Sequence, residues 1–476
     1  MNLASNDRLV AIICALGMLA MTGLAEASKS KVQVYILAGQ SNMVGIGKMY
    51  GSGTRWGNEF QEVTISAYEG DYDPKADYSK LKAIKTVRPE AFGGVKPTPY
   101  PEGGVRLARG TVTMKETGVY EFRPGYGDSQ NCVMTVAGTV VHRQEPGGEA
   151  ARQQIKIEAG KTLPFEIVYL SGGANGLGWY ERVDIPGTLS TVVKEENKFP
   201  YLLSENGHWA KRDDVWYKGV VTATNDTWLT PGCGAGSGTA IGPELGFGHI
   251  LGEYHDEPVL ILKASQGNRS LNWDFLPPGS MRFEVGSTVY AGYGDKTPSW
   301  EKGSEPKAVN WYAGKQYDDC FGEAKKVLAD FDKAVAAFAG HDYEIAGFVW
   351  WQGHKDSGSM VTAERYEQNL VHLIKTLRKE FKAPDAPFVV GTIGFGGKDM
   401  EKPEMLKIVE AQLAVDGAKG KYPDFKGNVK SVDTRPFWIP ADQSPKNQDF
   451  HYNQNAETYM NVGLAFGNAM VELLGK

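Results

Sequence analysis

A serine hydroxyl at the end of a buried strand is the first feature of this sequence able to do covalent chemistry. The stretch Val32–Gly47, VQVYILAGQSNMVGIG, opens with the β-formers Val32, Val34, Tyr35, Ile36 and Leu37. It then breaks at Ala38-Gly39-Gln40-Ser41-Asn42. An apolar run bounded by turn formers reads as a buried strand. Open α/β sheets collect their chemistry at the carboxyl ends of strands. A serine on such a junction has its Oγ exposed by the bend, and backbone N–H groups stay free for an oxyanion. By its letters alone, Gly39–Asn42 reads equally as a plain turn.

The block AGQSNM after an apolar strand resembles the first block of the SGNH/GDSL-type hydrolases. More narrowly, it resembles their carbohydrate esterase branch, the sialate O-acetylesterase-like enzymes. Three later stretches are similar to the remaining blocks, in the same order. Lys263-Ala264-Ser265-Gln266-Gly267-Asn268 follows an apolar strand, and the resemblance gives the Gly267 N–H to the oxyanion. Asn268 stands where a second glycine is usual. Phe348-Val349-Trp350-Trp351-Gln352-Gly353-His354 is similar to the tryptophan-x-glutamine-glycine block, which makes the Gln352 amide a third oxyanion donor. One such donor is worth about 3–4 kcal/mol in a transition state. Asn447-Gln448-Asp449-Phe450-His451 precedes the last helix, where the family carries its general base, here His451.

The carboxylate that orients the base departs from the family pattern. It usually lies three residues before the histidine, but that position is Gln448 and Asp449 lies two before. Asp449 is the first candidate and Asp356 the second. A Ser–His dyad helped by a backbone carbonyl is the third possibility. The implied reaction is acyl transfer, with Ser41 attacking an ester carbonyl and His451 relaying the proton. The scheme uses neither metal nor organic cofactor.

The elements that would hold these residues are legible as periodicity. Pro258–Ala264, Ile345–Trp350, Phe388–Ile393 and Val429–Val432 read as strands. Ala324, Leu328, Phe331, Val335 and Phe338 mark one apolar helix stripe; Ala363, Tyr366, Leu370, Leu373, Leu377 and Phe381 mark another. A final helix spans about Ala456–Leu474, capped by Asn453 or Asn455. Strands alternating with helices predict a doubly wound parallel sheet. The resemblance names this a flavodoxin-like SGNH hydrolase three-layer sandwich.

Residues 62–203 interrupt that pattern. Short β-rich runs separated by Gly and Pro turns predict an inserted all-β sandwich between hydrolase segments 28–61 and 204–476. Tyr68-Glu69-Gly70, Asp77–Leu81 and Glu116–Phe122 resemble a PA14-like module. Sugar-binding members of that family present two adjacent aspartates to calcium, whereas Gly127-Asp128-Ser129-Gln130 has one. Calcium takes six to eight oxygens, so the insert is expected to shape or space the substrate site.

The chain has 476 residues and a net charge of −6, which points to neither nucleic acid nor an anionic membrane. Leu9–Leu24 followed by Ala25-Glu26-Ala27 reads as a signal peptide, residues 1–27, and predicts a secreted or periplasmic protein with no membrane segment after cleavage. Cys132, Cys233 and Cys320 follow it, an odd number that leaves at least one thiol unpaired.

The resulting expectation is a secreted serine esterase removing O-acetyl groups from a carbohydrate, either a sialic acid or a polysaccharide. Two alternatives stand beside it. One is an SGNH esterase acting on lipid or other esters, which the Gly-, Pro- and charge-rich stretch Pro277–Lys307 argues against. The other is a catalytically inactive glycan-binding protein, which the altered Asp spacing leaves open and the intact Ser41, Gln352 and His451 argue against.

Overall fold

The computed structural model describes residues 30–51, 53–73, 75–90, 92, 104–124, 131–145, 151–170, 178–236 and 238–475. The expected signal peptide and Asp128 lie outside the described residues. The central sheet contains β1 (Val32–Gly39), β2 (Val215–Gly219), β3 (Asp226–Trp228), β4 (Val259–Ser265), β5 (Tyr343–Trp351), β6 (Phe388–Gly391) and β7 (Val429–Val432). Their spatial order is β3-β2-β4-β1-β5-β6-β7, parallel except for β3. All eight residues of β1 and all seven of β4 are buried. Near-continuous apolar runs of this kind belong to strands covered on both faces.

That cover comes from helices. α1 (Ser41–Val44) is a single turn directly after β1, and α2 (Glu244–Tyr254) precedes β4. α3 (Lys315–Ala329), α4 (Met360–Glu380), α5 (Pro403–Ala414) and α6 (Ala456–Leu474) complete the set used below. α2 packs on α6, and α4 on α5. The Asn455 Oδ1 caps α6 by accepting the N–H groups of Glu457 and Thr458. Among the described residues no helix is long and apolar enough to cross a membrane.

The stripe from Ala324 to Phe338 does not form one helix. α3 ends at Ala329, and Asp330 (φ −123°, ψ 49°) and Val335 (φ −131°, ψ 68°) leave the helical region. The five apolar residues are nevertheless all buried. Burial demanded the apolar spacing, and two tight bends satisfy it as well as a straight helix does. Asp332 fixes the second bend by accepting the Gly340 N–H at 2.8 Å.

Two further antiparallel sheets, of seven and four strands, run from Thr54–Arg55 to Trp179–Arg182. They share a core that includes Phe60, Ile65, Phe122, Met134, Ile157 and Phe165. Leu189, Val193 and Leu202 pack instead in the α/β core. The chain therefore crosses between the two cores before 62 and before 203. The second crossing is hidden in the sequence because 191–202 forms a π-helical turn and a 3-10 turn, with neither strand nor α-helical period.

Candidate active site

β1 lies between β4 and β5, so the carboxyl ends of three adjacent strands open onto one crevice. That is the switch point at which doubly wound sheets bind ligands. Ser41 follows β1, Gly267 follows β4, and Gln352 follows β5. Gly39 makes the sharp exit from β1 possible. Its φ is +152°, and a Cβ there would collide with the Trp351 carbonyl. The Gln40 N–H donates to that same carbonyl at 3.2 Å, and the Gln266 N–H donates to Gly39 O at 3.1 Å.

The two neighbours of Ser41 grip the loops that complete the site. Gln40 Oε1 accepts the Gly353 N–H at 3.2 Å and the Lys355 N–H at 3.4 Å. Asn42 Nδ2 donates to Phe450 O at 3.1 Å, while its Oδ1 accepts the Tyr459 hydroxyl at 2.7 Å. Gln40 thus fixes the loop after β5, and Asn42 fixes the loop carrying His451. Neither role is visible in sequence, because each partner lies hundreds of residues away.

His451 Nε2 stands 3.0 Å from Ser41 Oγ. The three residues after it, Tyr452, Asn453 and Gln454, have φ of 48°, 52° and 57°. Left-handed backbone at non-glycine residues persists only where surroundings over-determine it. Here Asn453 is fully buried, accepts the Gln448 N–H and donates to Ile439 O. The Tyr452 hydroxyl pairs with Thr434 Oγ1.

For Nε2 to accept the serine proton, the ring hydrogen must reside on Nδ1. Nδ1 is buried without a hydrogen-bond partner among the described residues. Asp449, the first expected orienting acid, is exposed and makes no hydrogen bond or ion pair among the described residues. Asp356, the second, is fully buried elsewhere. Its Oδ2 accepts the Leu271 N–H and Gln352 Nε2, and its Oδ1 accepts the Asn272 N–H. Burial pushes its carboxyl up to about 6 against those hydrogen bonds. Asp356 latches the loop after β4 to the loop after β5 and does not reach His451.

Gln352 also sits differently from expectation. Its Nε2 faces Asp356 Oδ2 at 2.7 Å, Arg269 O at 2.9 Å and Gln40 Oε1 at 3.2 Å. Two N–H groups meet three acceptors, so none is left for an oxyanion. Turning the amide over would set Oε1 against a carboxylate and a carbonyl, which excludes that arrangement. The geometry makes Gln352 a brace for Gln40 and Asp356.

Two backbone donors remain. A Cβ placed on Gly267 would lie 3.8 Å from Ser41 Cβ, so this turn borders the nucleophile. Neither the Ser41 nor the Gly267 N–H donates to a protein acceptor among the described residues. His354, which follows the Gln-Gly pair, stacks on Phe450 at 5.2 Å, and Phe450 packs on His451 at 4.3 Å. Burial, with His354 as the second cause, pushes the His451 imidazole down to about 4. Cys132, Cys233 and Cys320 are buried free thiols. No group of three or more His, Cys, Asp or Glu among the described residues is placed to hold a metal ion.

Beside the crevice lies a cavity of about 410 Å³, bordered by Asn268, Arg269, Asp274, Tyr290, Trp311 and Lys355. The Arg269 guanidinium lies 5.1 Å from the Trp311 ring centroid.

A family model described as carbohydrate esterase, sialic acid-specific acetylesterase matches residues 222–472, just over half of the 476-residue chain. A probable carbohydrate esterase of Arabidopsis thaliana is 28% identical over 122 residues, which cover 26% of this chain and 39% of that relative. Among solved structures, one from the same plant aligns with a TM-score of 0.35 and 16% identity over 56% of this chain and 88% of the other. A carbohydrate acetylesterase from Xanthomonas citri aligns with a TM-score of 0.35 and 12% identity, covering 78% of this chain and 72% of the other. Both structural likenesses are loose.

Proposed function

The chain belongs to the carbohydrate esterase family of sialic acid-specific acetylesterases, and from that premise we propose that it hydrolyses O-acetyl esters of carbohydrates through Ser41. The single observation that carries the mechanism is the 3.0 Å contact between Ser41 Oγ and His451 Nε2 at the sheet's switch point. Neutral His451 takes the Ser41 proton as Oγ attacks the ester carbonyl carbon. The tetrahedral oxyanion is held by the N–H groups of Ser41 and Gly267. Collapse expels the sugar alcohol, which leaves with the proton from His451. Water, deprotonated by His451, then cleaves the acetyl-serine to release acetate. In this scheme Ser41 and His451 form a dyad, while Gln352, Gln40, Asn42 and Asp356 position it.

The reading extends to the rest of the chain. The fold is that of an SGNH hydrolase, with the two-sheet module as an inserted PA14-like sandwich that flanks the site. The leader over 1–27 directs the protein out of the cytoplasm. The unpartnered His451 Nδ1 favours a second reading, an inactive glycan-binding protein. A serine-reactive fluorophosphonate separates the two, because only an activated Ser41 is labelled.

The sugar half of the ester occupies the 410 Å³ cavity beside Gly267, with Trp311 as its aromatic wall. Trp311→Ala is expected to lower kcat/KM on an acetylated glycan about tenfold, the equivalent of ~1.4 kcal/mol. Turnover of a small aryl acetate, which does not reach that wall, stays within twofold. Equal losses on both substrates would remove Trp311 from the sugar site.

The histidine environment fixes a pH dependence. The base works when neutral, and its folded-state value lies below the ordinary 6.5. Activity is therefore kept as pH falls through 6.5 and is lost as pH approaches about 4. A kcat/KM profile should show its acidic limb there. His354→Glu places a carboxylate beside the imidazolium and should raise that limb by about one unit. A wild-type limb near 6.5 would contradict the buried, acid-free setting of His451.

A further inference from the structure

Lys263 interrupts the apolar run of β4, yet it and Glu244 of α2 both have fully buried side chains, at 0% exposure. Lys263 Nζ donates to Glu244 Oε2 and, at 3.0 Å, to Val44 O. Glu244 Oε1 accepts the Gly242 N–H at 2.8 Å. Val44 ends the single turn that Ser41 begins, and the carbonyls at a helix end have no intrahelical partner. Gly45 follows at φ +91° and crosses Gly242, where a side chain on either glycine would meet the other's backbone. The Lys263 backbone pairs in register with Leu37 of β1 and leads, four residues on, to Gly267.

Net fold stability is a weak reason for this pair. Removing two charges from water costs several kcal/mol each, and well-packed apolar replacements of such pairs are often neutral or stabilising. What the pair does have is reach. The ammonium holds the carbonyl end of the nucleophile turn, and the same residue's backbone runs into the second oxyanion donor. A positive charge also suits the C-terminal end of a helical turn.

We propose that Lys263 and Glu244 are positioning residues that set the spacing between Ser41 and the Gly267 N–H. The role rests on the esterase reading above. Oxyanion donors must be held to about half an ångström, and a displacement of about 1 Å can cost about a hundredfold in rate. Without the pair, the Val44 end of the nucleophile turn loses its side-chain tie to β4, while the Gly39–Gln40 end keeps its ties to the loop after β4 through the Gln266 N–H and Gln352.

The test uses the full chain, a fluorophosphonate probe and an aryl acetate. The double variant Lys263→Met/Glu244→Leu removes both charges at similar volume and leaves no orphan ion. It should melt within a few degrees of wild type and keep KM, while kcat and the labelling rate both fall tenfold or more. The isosteric Glu244→Gln provides a second measurement if the double variant does not fold. It should fold and label several-fold more slowly than wild type. Wild-type labelling and kcat in either folded variant would overturn the proposal and leave the pair a purely structural one. Absence of labelling in the wild type itself would instead defeat the esterase reading, so the two failures are distinct.

Discussion

Ser41→Ala is expected to lower kcat/KM for acetate release by a factor on the order of 10⁴ to 10⁶. The loss is large because Ser41 Oγ is the hydroxyl that borders both His451 Nε2 and Gly267, and attack by water would have to proceed without an acyl-enzyme. The remaining rate is what the two backbone donors and substrate binding supply. Asn42 and Gln40 grip their loops through their own amides, so removing one hydroxyl leaves the architecture and the melting temperature unchanged. A variant that unfolds would show that Ser41 Oγ carries a structural load the hydrogen bonds do not indicate.

His451→Ala should cost a comparable factor, and the Ser41→Ala/His451→Ala double variant should be no worse than either single. Residues that act as one unit are not additive. The contrasting variant is Asp449→Asn. Its carboxylate is exposed and away from Nδ1, so kcat/KM should stay within about twofold. In triads whose acid does orient the histidine, the same change costs about 10⁴. A loss of that size at Asp449 would mean that the loop carrying His451 rearranges during turnover to bring the acid onto the ring. Thermal melts of all three variants would separate such an effect from unfolding.

The parts of this protein that are local in sequence were readable there. β1 and its sharp end at Gly39 announce themselves by an apolar run and a glycine, and the α6 cap by two candidates, Asn453 and Asn455, of which Asn455 is the cap. The pairing of Ser41 with His451, 410 residues apart, has no local signal. Only the order of blocks similar to a known family suggested it. Gln352 and Asp356 take roles other than those the sequence blocks imply, for one physical reason. A buried amide or carboxylate goes wherever unsatisfied backbone groups need a partner. Here those groups are Arg269 O and the N–H groups of Leu271 and Asn272, which sequence spacing does not place. The role of Lys263 has no local signal either, because the strand Pro258–Ala264 reads the same whether its one charge is buried or exposed until Glu244, 19 residues away, is placed beside it. The break at Asp330 has no signal in the sequence, because burial spacing does not distinguish a straight helix from a bent one.

The most direct measurement is to treat the protein with a fluorophosphonate and map the adduct by peptide mass spectrometry. The account predicts one adduct, on the peptide containing Ser41, formed in step with loss of acetate release and absent from Ser41→Ala and His451→Ala. Continued ester hydrolysis with Ser41 unmodified, or an adduct on another residue that abolishes activity, would contradict it.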